Sequence, residues 1–405
     1  MEEILKRDVV DEINKFMNDD EAVVLHGARQ VGKTCILRYL EKQLIDRGKT
    51  TYFIDLEDSR YVRILDEGVD AFLKHLEEEG VSSSRRDKKC FIFIDEIQYL
   101  ANPSSFLKLV VDHQKNIKLI VSGSSSFSIK TKFKDSLVGR TIHFEIFPLS
   151  FKEFLFFNQI HFENDKVYTE KKTDELRKNF KEYVLYGGYP RIVLTPEVDK
   201  KEKYLQQIID TYIKKDIRDL ANVKDIDKFN KLLEVFAGQS GQMLNMKEIS
   251  NTARMSIQTI EKHLFILENT FILKRVRPFS KNIRSELFKL PKIYFYDAGL
   301  MQMLWLKGLP REVIGQVFET AVFSELVKKY GRENIFYWRT KDKKEIDFIL
   351  KKKNVILPIE VKINYEQFNP NAIRYFNAHY GVDHYKVVGL KGTPKDQHFV
   401  YPWEA

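Results

Sequence analysis

The chain has 405 residues, of which 43% are hydrophobic and 31% are charged, and its formal net charge at pH 7 is +9. This composition excludes an intrinsically disordered chain, and the length predicts two to four domains. A basic balance is compatible with nucleic-acid binding and with ordinary solubility, so it does not decide between them. No apolar run has the length of a membrane span, which predicts a protein without membrane association.

The N-terminus and the cysteines indicate a cytoplasmic protein. Residues 1–17 follow the pattern of an amphipathic helix and lack the basic end and apolar core of a signal peptide. The chain has two cysteines, Cys35 and Cys90, which we interpret as buried core residues and not as a disulfide. Both features favour a reducing compartment. The sequence has no Cys/His cluster of the kind that would predict a structural metal site.

The octet GARQVGKT at residues 27–34 fits G-x-x-x-x-G-K-[ST], the phosphate-binding P-loop. An apolar run of strand length precedes it and a helical pattern follows, which is the order the motif requires. Lys33 would reach the β- and γ-phosphates, and the Thr34 hydroxyl would hold Mg²⁺. The predicted nucleotide-binding residues are Gly27, Ala28, Arg29, Gln30, Val31, Gly32, Lys33, Thr34 and Cys35.

A second element of the same site follows at residues 91–96, FIFIDE. Its four apolar residues are typical of a strand buried on both faces of a parallel sheet. Asp95 and Glu96 stand at the carboxyl end, where ligands bind in open α/β sheets. Asp95 would hold Mg²⁺ in the Walker B role, and Glu96 would polarise the attacking water.

Two further candidates lie at the end of the predicted strand at 117–125 and just past it. Ser122, Ser124 and Ser125 end this strand, and Ser124 is the candidate sensor of the γ-phosphate; the alternative is an ordinary Ser-rich turn. Arg140, at the end of SLVGR, would stabilise the transferring phosphoryl in its own chain or across a subunit interface. The alternative for Arg140 is a surface salt bridge, so oligomerisation is possible but not required.

The middle of the chain contains two regions with different secondary-structure patterns. Residues 151–235 predict mostly helices, and residues 243–289 predict two helices, a short turn between them, and a strand. This is the pattern of a winged helix-turn-helix, which would contact DNA or serve protein contacts only. The polar residues of its second helix are Ser256, Gln258, Thr259 and Lys262. The predicted wing cations are Lys274, Arg275, Arg277 and Lys281.

The segments EIDFIL (345–350) and VILPIEVK (355–362) predict a β-hairpin. Such a hairpin brings Asp347, Glu360 and Lys362 to one end, where two carboxylates can hold Mg²⁺ and a lysine can orient water against a phosphodiester. Glu319 on the preceding helix would complete the site, with Glu325 as the weaker candidate. The alternatives are a nuclease-like fold kept for interaction and a solvated hairpin. Lysines that would suit a phosphate backbone are Lys341, Lys343, Lys344, Lys351, Lys352 and Lys353.

Together these motifs resemble a prokaryotic ATPase family with an AAA-type (AAA+/STAND-like) domain and a restriction-endonuclease-like C-terminal domain. The resemblance also rests on SGSSS, the YGGYP turn and YIKKDI, and it extends over essentially the whole chain. The family most often has proline where this chain has Ala28, which leaves nucleotide binding in place. The resemblance implies ATP and Mg²⁺ as cofactors, and ATP is favoured over GTP because no N-K-x-D motif occurs.

The expected fold class is therefore α/β, with four parts. They are a P-loop ATPase domain (1–150), a helical region (151–235), a winged helix-turn-helix (236–290) and a restriction-endonuclease-like PD-(D/E)xK domain (291–405). The expected function is a Mg²⁺-dependent ATPase whose nucleotide state controls a DNA-directed C-terminal part, with nuclease activity left open. The alternatives are an ATP-gated protein-interaction switch that cuts nothing and a DNA-binding regulator.

Overall fold

A computed structural model describes residues 4–81, 89–123, 137–163, 166–211, 225–280, 290–353 and 355–405. The candidate sensor Ser124, its neighbour Ser125 and the predicted wing residue Lys281 lie outside these ranges. The chain divides into two compact units. The first runs to Phe147 and includes Asn269–Phe271; the second comprises Pro148–Glu268 and Ile272–Ala405. Within the described ranges, no helix is long and apolar enough to cross a membrane.

The first unit alternates strands and helices. Its elements are α1 (Val9–Asn14), β1 (Ala22–Gly27), α2 (Lys33–Asp46), β2 (Thr51–Asp55), α3 (Ser59–Glu67), α4 (Val69–Glu78), β3 (Cys90–Asp95), α5 (Pro103–His113), β4 (Ile117–Gly123) and β5 (Thr141–Ile146). Asn102 caps α5, because its side chain accepts the Ser105 N–H and Pro103 occupies the first turn.

The five strands form one parallel sheet in the order β2-β3-β4-β1-β5. Every residue of β1, β3 and β4 is buried, as expected for strands covered on both faces. Because the strands are parallel, their carboxyl ends share one edge, and the segments after β1, β3 and β4 emerge there together. The parallel α/β sheet predicted for the first third of the chain is confirmed.

A buried lysine fastens the start of the chain to this sheet. Lys118 on β4 is fully buried, and its ammonium donates to the carbonyl oxygens of Phe16 (2.6 Å), Asp19 (2.9 Å) and Glu21 (2.5 Å). Burial lowers the pKa of Lys118 to about 8. Three carbonyls thus replace the water that a charged ammonium would otherwise need.

The second unit begins with helices and ends with a mixed sheet. Its helices are α6 (Phe151–Phe157), α7 (Glu170–Tyr186), α8 (Pro190–Val193), α9 (Val198–Ile208), α10 (Ile226–Gly238), α11 (Met246–Ala253), α12 (Ile257–Asn269), α13 (Ala298–Leu306), α14 (Gly315–Tyr330) and α15 (Asn371–Tyr380). Its strands are β6 (Leu273–Val276), β7 (Lys292–Phe295), β8 (Ile335–Arg339), β9 (Glu345–Lys352), β10 (Val355–Asn364), β11 (Lys386–Lys391) and β12 (Phe399–Val400).

The larger sheet of this unit has the order β12-β11-β10-β9-β8. The predicted hairpin is confirmed, because β9 and β10 pair antiparallel. An apolar cluster that includes Phe279, Ile346 and Phe376 lies between this sheet and α15. Strands β6 and β7 form a separate antiparallel pair.

The YGGYP turn has a packing role. Gly187 has φ 82°, and a Cβ there would lie 2.2 Å from a carboxylate oxygen of Asp297. Asp297 is buried and accepts the backbone N–H of Gly188 (2.7 Å) and of Leu300 (2.8 Å). The two glycines therefore let the turn approach the first residues of α13 closely.

Residues 243–279 form the predicted pair of helices and a strand. The positions expected to pack are buried in both helices: Ile249, Ala253, Ile260, Leu264 and Leu267. The strand β6 follows and pairs with β7. These elements are compatible with a winged helix, which stays a prediction, as do the expected boundaries at 235 and 290.

Replacing Lys118 by methionine tests the buried anchor. Lys118→Met leaves three carbonyls without a donor, so we expect a loss of about 3 kcal/mol of unfolding free energy. Denaturation followed by circular dichroism measures the loss, and hydrogen exchange of residues 14–22 locates it. Lys115→Met, at a neighbouring exposed lysine, is the control; equal stability of the two variants would contradict the anchor.

Candidate functional site

The P-loop lies between the end of β1 and the start of α2. Gly32 has φ 95°, a left-handed conformation that glycine adopts without strain, and α2 begins at the next residue. Gly27 has a different reason to be glycine: a Cβ would lie 2.1 Å from the Ile146 carbonyl oxygen at the end of β5. The first glycine thus allows close packing, and the second allows the loop to turn into the helix.

Lys33 is buried inside this loop. Its ammonium donates to the carbonyl oxygens of Ala28 (2.8 Å) and Gly27 (3.2 Å). Burial lowers the pKa of Lys33 to about 8, although the nearby Glu96 and Asp95 oppose the shift. A cation held in a loop of backbone amides at a helix N-terminus provides the chemistry for binding a phosphate chain.

Asp95 connects three elements at the carboxyl edge of the sheet. Its Oδ2 accepts the Thr34 hydroxyl at 2.6 Å, and its Oδ1 accepts the Ser122 hydroxyl. Strand register explains the second contact, because Ile94 lies opposite Val121 and the next residues are Asp95 and Ser122. The Thr34 hydroxyl and the Asp95 carboxylate supply the oxygen donors that Mg²⁺ prefers, so the residues fit that ion.

Glu96 leaves the strand in a left-handed conformation, with φ 56°. Its backbone N–H donates to Ser122 Oγ at 3.3 Å, and its side chain accepts a hydrogen bond from Gln98 Nε2. A non-glycine residue at positive φ is uncommon and indicates that the surroundings fix its direction. The carboxylate of Glu96 is therefore set apart from that of Asp95, although the two residues are adjacent.

Sequence reasoning missed two residues of this site. Ser122 was grouped with the serines of the same strand, whereas the register of β3 and β4 gives it the contact with Asp95. Arg7 carried no local signal, yet its guanidinium donates to the P-loop carbonyl of Val31 at 2.8 Å. A buried arginine contact 24 residues away along the chain cannot be found from motif spacing.

The placement of Cys35 corrects one expectation. Cys90 is buried, as predicted, but Cys35 is exposed on the first turn of α2. The helix buries Ile36 and Leu37 instead, so residue 35 faces away from the core. Both cysteines are free thiols, and no disulfide joins them.

The placement of Arg140 corrects a second expectation. The Arg140 carbonyl accepts the Ala22 N–H at the amino end of β1, whereas the P-loop follows the carboxyl end, about 16 Å along the strand. Its guanidinium donates to Asp112 at 2.7 Å. Arg140 therefore does not reach the phosphate site of its own chain, and only a role across a subunit interface stays a prediction.

A second polar cluster lies in the hairpin of the second unit. The Lys362 ammonium donates to Glu360 Oε2 at 2.7 Å and to Asp347 Oδ2 at 3.0 Å. Asp347 also accepts the Val361 N–H at 2.8 Å. The predicted trio is therefore brought together, and Glu319 on α14 joins it through electrostatic interactions with Asp347 and Lys362.

A β-bulge in β9 places Asp347 on this face. On β8, Phe336 pairs with Ile349 of β9, and Trp338 pairs with Ile346 of β9. A step of two residues along β8 therefore corresponds to a step of three residues along β9. One extra residue in the strand directs Asp347 and Phe348 away from Ile346 and Ile349, which pack in the apolar cluster under α15. The alternation of the sequence alone would not predict this arrangement.

The carboxylates of the cluster have opposite pKa shifts. Burial and, after it, the charge of Asp347 raise the pKa of Glu360 to about 8 and that of Glu319 to about 7. Burial would also raise the pKa of Asp347, but Lys362 and Lys292 hold it below its ordinary value. Asp347 is thus kept ionised, whereas Glu360 and Glu319 release their protons at a higher pH than an ordinary glutamate does.

Sequence reasoning missed three further members of this cluster, which are Lys292, Tyr294 and Glu345. Lys292 on β7 is buried, and its ammonium lies 2.6 Å from Glu345 Oε1 and 3.7 Å from Glu319 Oε1. The Tyr294 hydroxyl donates to Glu319 at 2.5 Å. Alternation along β7 would have placed Lys292 and Tyr294 on one face, but its pairing and its proximity to α14 depend on tertiary structure.

The weaker candidate Glu325 belongs elsewhere. It accepts the Phe151 N–H at 2.9 Å and the Tyr183 hydroxyl at 2.5 Å, and Lys328 lies 3.0 Å from it. Glu325 therefore stabilises the start of α6 and is not part of the carboxylate cluster.

The lysines around the hairpin form two groups instead of one. Lys341, Lys343 and Lys344 precede β9, on the side of Asp347, whereas Lys351–Lys353 end the strand, roughly 23 Å away.

Two of the four predicted wing cations form ion pairs. Arg275 forms ion pairs with Glu261 (2.7 Å) and Glu268 (2.6 Å) on α12, and Lys274 pairs with Glu333 (2.9 Å). In α12, Ser256 accepts the Thr259 N–H at 3.2 Å, so it caps the helix. Gln258, Lys262 and Arg277 are exposed.

Within the described residues, no group of three or more His, Cys, Asp or Glu side chains has the arrangement of a metal site. This result matters for the hairpin, where the Lys362 ammonium lies between the two carboxylates expected to hold Mg²⁺. Asp347 and Glu360 do not fit that ion in the arrangement observed.

Comparison with known proteins agrees with the geometry of the first unit. Residues 19–155 match the family described as "AAA domain". These residues are therefore similar to an AAA domain, and they contain the P-loop. Beyond this AAA-type domain, residues 177–312 and 314–404 match two families that are each described as a domain of unknown function.

Relatives extend over the AAA-type domain and the rest of the chain. An uncharacterized protein of Haemophilus influenzae is 27% identical over 404 residues, covering 97% of this chain and 94% of that protein. An uncharacterized protein of Methanocaldococcus jannaschii is also 27% identical, covering 93% of this chain and 81% of that protein.

Solved structures resemble the chain weakly. The replication initiator DnaA bound to AMPPCP and single-stranded DNA has a TM-score of 0.29 at 16% identity, covering 64% of this chain and 86% of that chain. Drosophila ORC bound to DNA has a TM-score of 0.24 at 15% identity, covering 34% and 87%. Scores this low carry no conclusion for the AAA-type domain.

The lowered pKa of Lys33 predicts that nucleotide binding takes up a proton. A bound phosphate chain favours the ammonium, so Lys33 is charged in the complex. Below about pH 7, Lys33 is protonated both in the free protein and in the nucleotide complex. Between about pH 8 and 10.5, Lys33 is protonated only in the complex. We expect uptake of up to about one proton, and weaker binding as the pH rises through this window.

Calorimetry of Mg·ADP binding at pH 9, in buffers of different ionisation enthalpy, measures this proton. The same titrations at pH 6.5 are the control, since no Lys33 proton moves there. Equal proton uptake at both values would show that the signal does not come from Lys33.

Proposed function

We propose that the chain binds and hydrolyses ATP with Mg²⁺ at the P-loop of its AAA-type domain. The observation that carries the proposal is the 2.6 Å contact between the Thr34 hydroxyl and the Asp95 carboxylate, with Glu96 directly after Asp95. This contact joins the phosphate-binding loop to Asp95 at the end of β3, and Glu96 is the next residue. ATP is favoured over GTP because the sequence contains no guanine-reading N-K-x-D motif.

Each group then has a distinct task. The amide groups of the loop and the Lys33 ammonium hold the β- and γ-phosphates, which requires Lys33 to leave the carbonyls of Gly27 and Ala28. Glu96 accepts a proton from water as the water oxygen bonds to the γ-phosphorus, and the bond to the ADP oxygen breaks. Thr34 and Asp95 would hold Mg²⁺, which neutralises phosphate charge when bound.

The contact between Gln98 and Glu96 has a consequence for this task. This hydrogen bond occupies one carboxylate oxygen of Glu96 and fixes the direction of the side chain. Glu96 must therefore turn or release Gln98 before it activates water. Ser122, which accepts the Glu96 N–H, keeps the backbone in place while the side chain moves.

Substitutions of Glu96 and Lys33 separate binding from hydrolysis. Glu96→Gln retains the shape of the side chain but cannot accept the proton, so we expect kcat to fall by about 100-fold or more with nearly unchanged nucleotide affinity. Lys33→Ala removes the buried cation, so we expect both binding and hydrolysis to be lost. Phosphate release and fluorescent-nucleotide binding measure the two effects.

Glu78→Gln is the matched control for Glu96→Gln, because Glu78 is exposed on α4. We expect wild-type turnover from it. Full ATP turnover in Lys33→Ala would refute the proposed ATPase.

We further propose that the second unit acts on DNA, with the hairpin cluster as its site. Support comes from Asp347, Glu360, Lys362 and Glu319, which gather from three elements, and from the lysines before β9. Because Asp347 is kept ionised and Lys362 is placed beside it, the pair could activate water against a phosphodiester. The net charge of +9 would favour a polyanion.

The alternative is an ATP-gated switch that contacts protein partners and cuts nothing. Two observations favour it over a nuclease: Lys362 forms ion pairs with both carboxylates, and Arg275 and Lys274 of the predicted wing are engaged by acids. A DNA-binding regulator would require sequence-specific contacts from α12, where Gln258 and Lys262 remain exposed. Assembly into oligomers, with Arg140 acting across the interface, belongs to the same set of proposals.

A plasmid-nicking assay distinguishes these proposals. A nuclease at the hairpin cluster would nick with Mg²⁺ or Mn²⁺ in an ATP-dependent way and would lose this activity in Asp347→Ala, because the ionised carboxylate of the cluster is removed. Glu57→Gln, at an exposed acid outside the cluster, is the control. Absence of nicking under every condition, with intact ATP hydrolysis, would favour the protein switch. A footprint on one DNA sequence would favour the regulator.

A further inference from the structure

The P-loop is attached to the end of β5 at both of its ends. At the first end, Gly27 packs so closely on Ile146 that a Cβ would lie 2.1 Å from the Ile146 carbonyl oxygen. At the second end, the Val31 carbonyl accepts a hydrogen bond from Arg7 Nη1 at 2.8 Å. Arg7 Nη2 donates to the carbonyl of Phe147 at 3.0 Å. One guanidinium therefore joins the loop to the residue after β5.

Arginine is suited to this position. Its planar guanidinium presents several N–H groups in a fixed fork, so it can bridge two carbonyls that lie on separate segments. Arg7 is 7% exposed, and its charge is therefore solvated mainly by protein groups. A buried charge is kept only where such partners hold it, and removing it leaves both carbonyls without that donor.

The carbonyl that Arg7 binds lies in the peptide that carries the Gly32 N–H. A trans peptide is planar, and its C=O and N–H point in opposite directions. By holding the Val31 carbonyl on the side of Phe147, Arg7 turns the Gly32 N–H to the other side, toward the concave interior of the loop. A charge-assisted hydrogen bond also polarises the peptide and makes its N–H a better donor.

We propose that Arg7 is a positioning residue of the nucleotide site, and that it transmits the state of the P-loop to Phe147. The inference rests on the proposed binding of ATP at this loop. Arg7 sets the direction of the Gly32 N–H toward the phosphates without contacting them. Phe147 is the last residue of the first unit before the chain continues at Pro148. A shift of the Val31–Gly32 peptide therefore moves, through Arg7, the residue at which the chain leaves this unit.

Three variants test the bridge. Arg7→Met removes both hydrogen bonds, and Arg7→Lys keeps the charge but cannot bridge two carbonyls with a planar fork. Lys6→Met is the matched control, because it removes the adjacent cation, whose side chain is 40% exposed and pairs with Asp11. Circular dichroism establishes that each variant is folded, and Arg7→Lys carries the test if Arg7→Met is not.

We expect the Kd of Mg·ADP to rise about tenfold in Arg7→Met and about threefold in Arg7→Lys, with less than a twofold change in Lys6→Met. In ATP turnover the effect should fall on KM, and kcat should change less than threefold, because Glu96 is untouched. A generally destabilised domain would instead lower the active fraction and leave KM unchanged.

Hydrogen exchange supplies the second readout. Without nucleotide, we expect the amides of residues 30–33 to exchange faster in Arg7→Met than in the wild type. With nucleotide, the wild type should gain protection at residues 146–147, and Arg7→Met should not.

The outcomes are separable. Wild-type affinity in both Arg7 variants, or unchanged exchange of residues 30–33 in Arg7→Met, would overturn the proposed bridge. Failure of the wild type to bind nucleotide would instead overturn the proposed ATPase and, with it, the role of Arg7 at a nucleotide site.

Discussion

The parallel register of β1, β3 and β4 is the constraint on which the candidate nucleotide site depends. Because these strands end at one edge, the segment after β1 supplies the P-loop, the end of β3 supplies Asp95, and the end of β4 supplies Ser122. Asp95 then contacts Thr34 on one side and Ser122 on the other. A slip of one residue in β3 would turn Asp95 into the apolar layer and separate these groups.

Buried and partly buried cations organise both units. Lys118 and Arg7 each donate to backbone carbonyls, and Lys292 and Lys362 each lie between carboxylates. In every case the charge is compensated by fixed protein groups, which specify one arrangement more strongly than apolar contacts would. Lys33 differs from these four, because the carbonyls it binds can be exchanged for phosphate oxygens. This difference separates a structural lysine from one available for ligand binding.

The two groups of carboxylates are prepared for different chemistry. At the P-loop, Asp95 is paired with hydroxyl groups, which are neutral and leave its charge available to a cation. In the hairpin, the Lys362 ammonium donates to both Asp347 and Glu360, while burial raises the pKa of Glu360 and of Glu319. A divalent ion would have to displace an ammonium and a proton there. The P-loop is therefore the better supported site for Mg²⁺, and the function of the hairpin carboxylates stays a proposal.

The sequence by itself determined the P-loop, the acid pair after β3, the parallel sheet and the β9–β10 hairpin, because each is encoded in local spacing and alternation. Tertiary structure decided the rest. Arg7, Ser122 and Lys292 reach their partners only through strand order and packing, and the bulge in β9 sets the direction of Asp347. Arg140 and Glu325 carried suitable chemistry in the sequence, but the edge or helix face on which they lie directs them elsewhere. Spacing along a chain specifies local geometry, whereas long-range distances follow from how the elements pack.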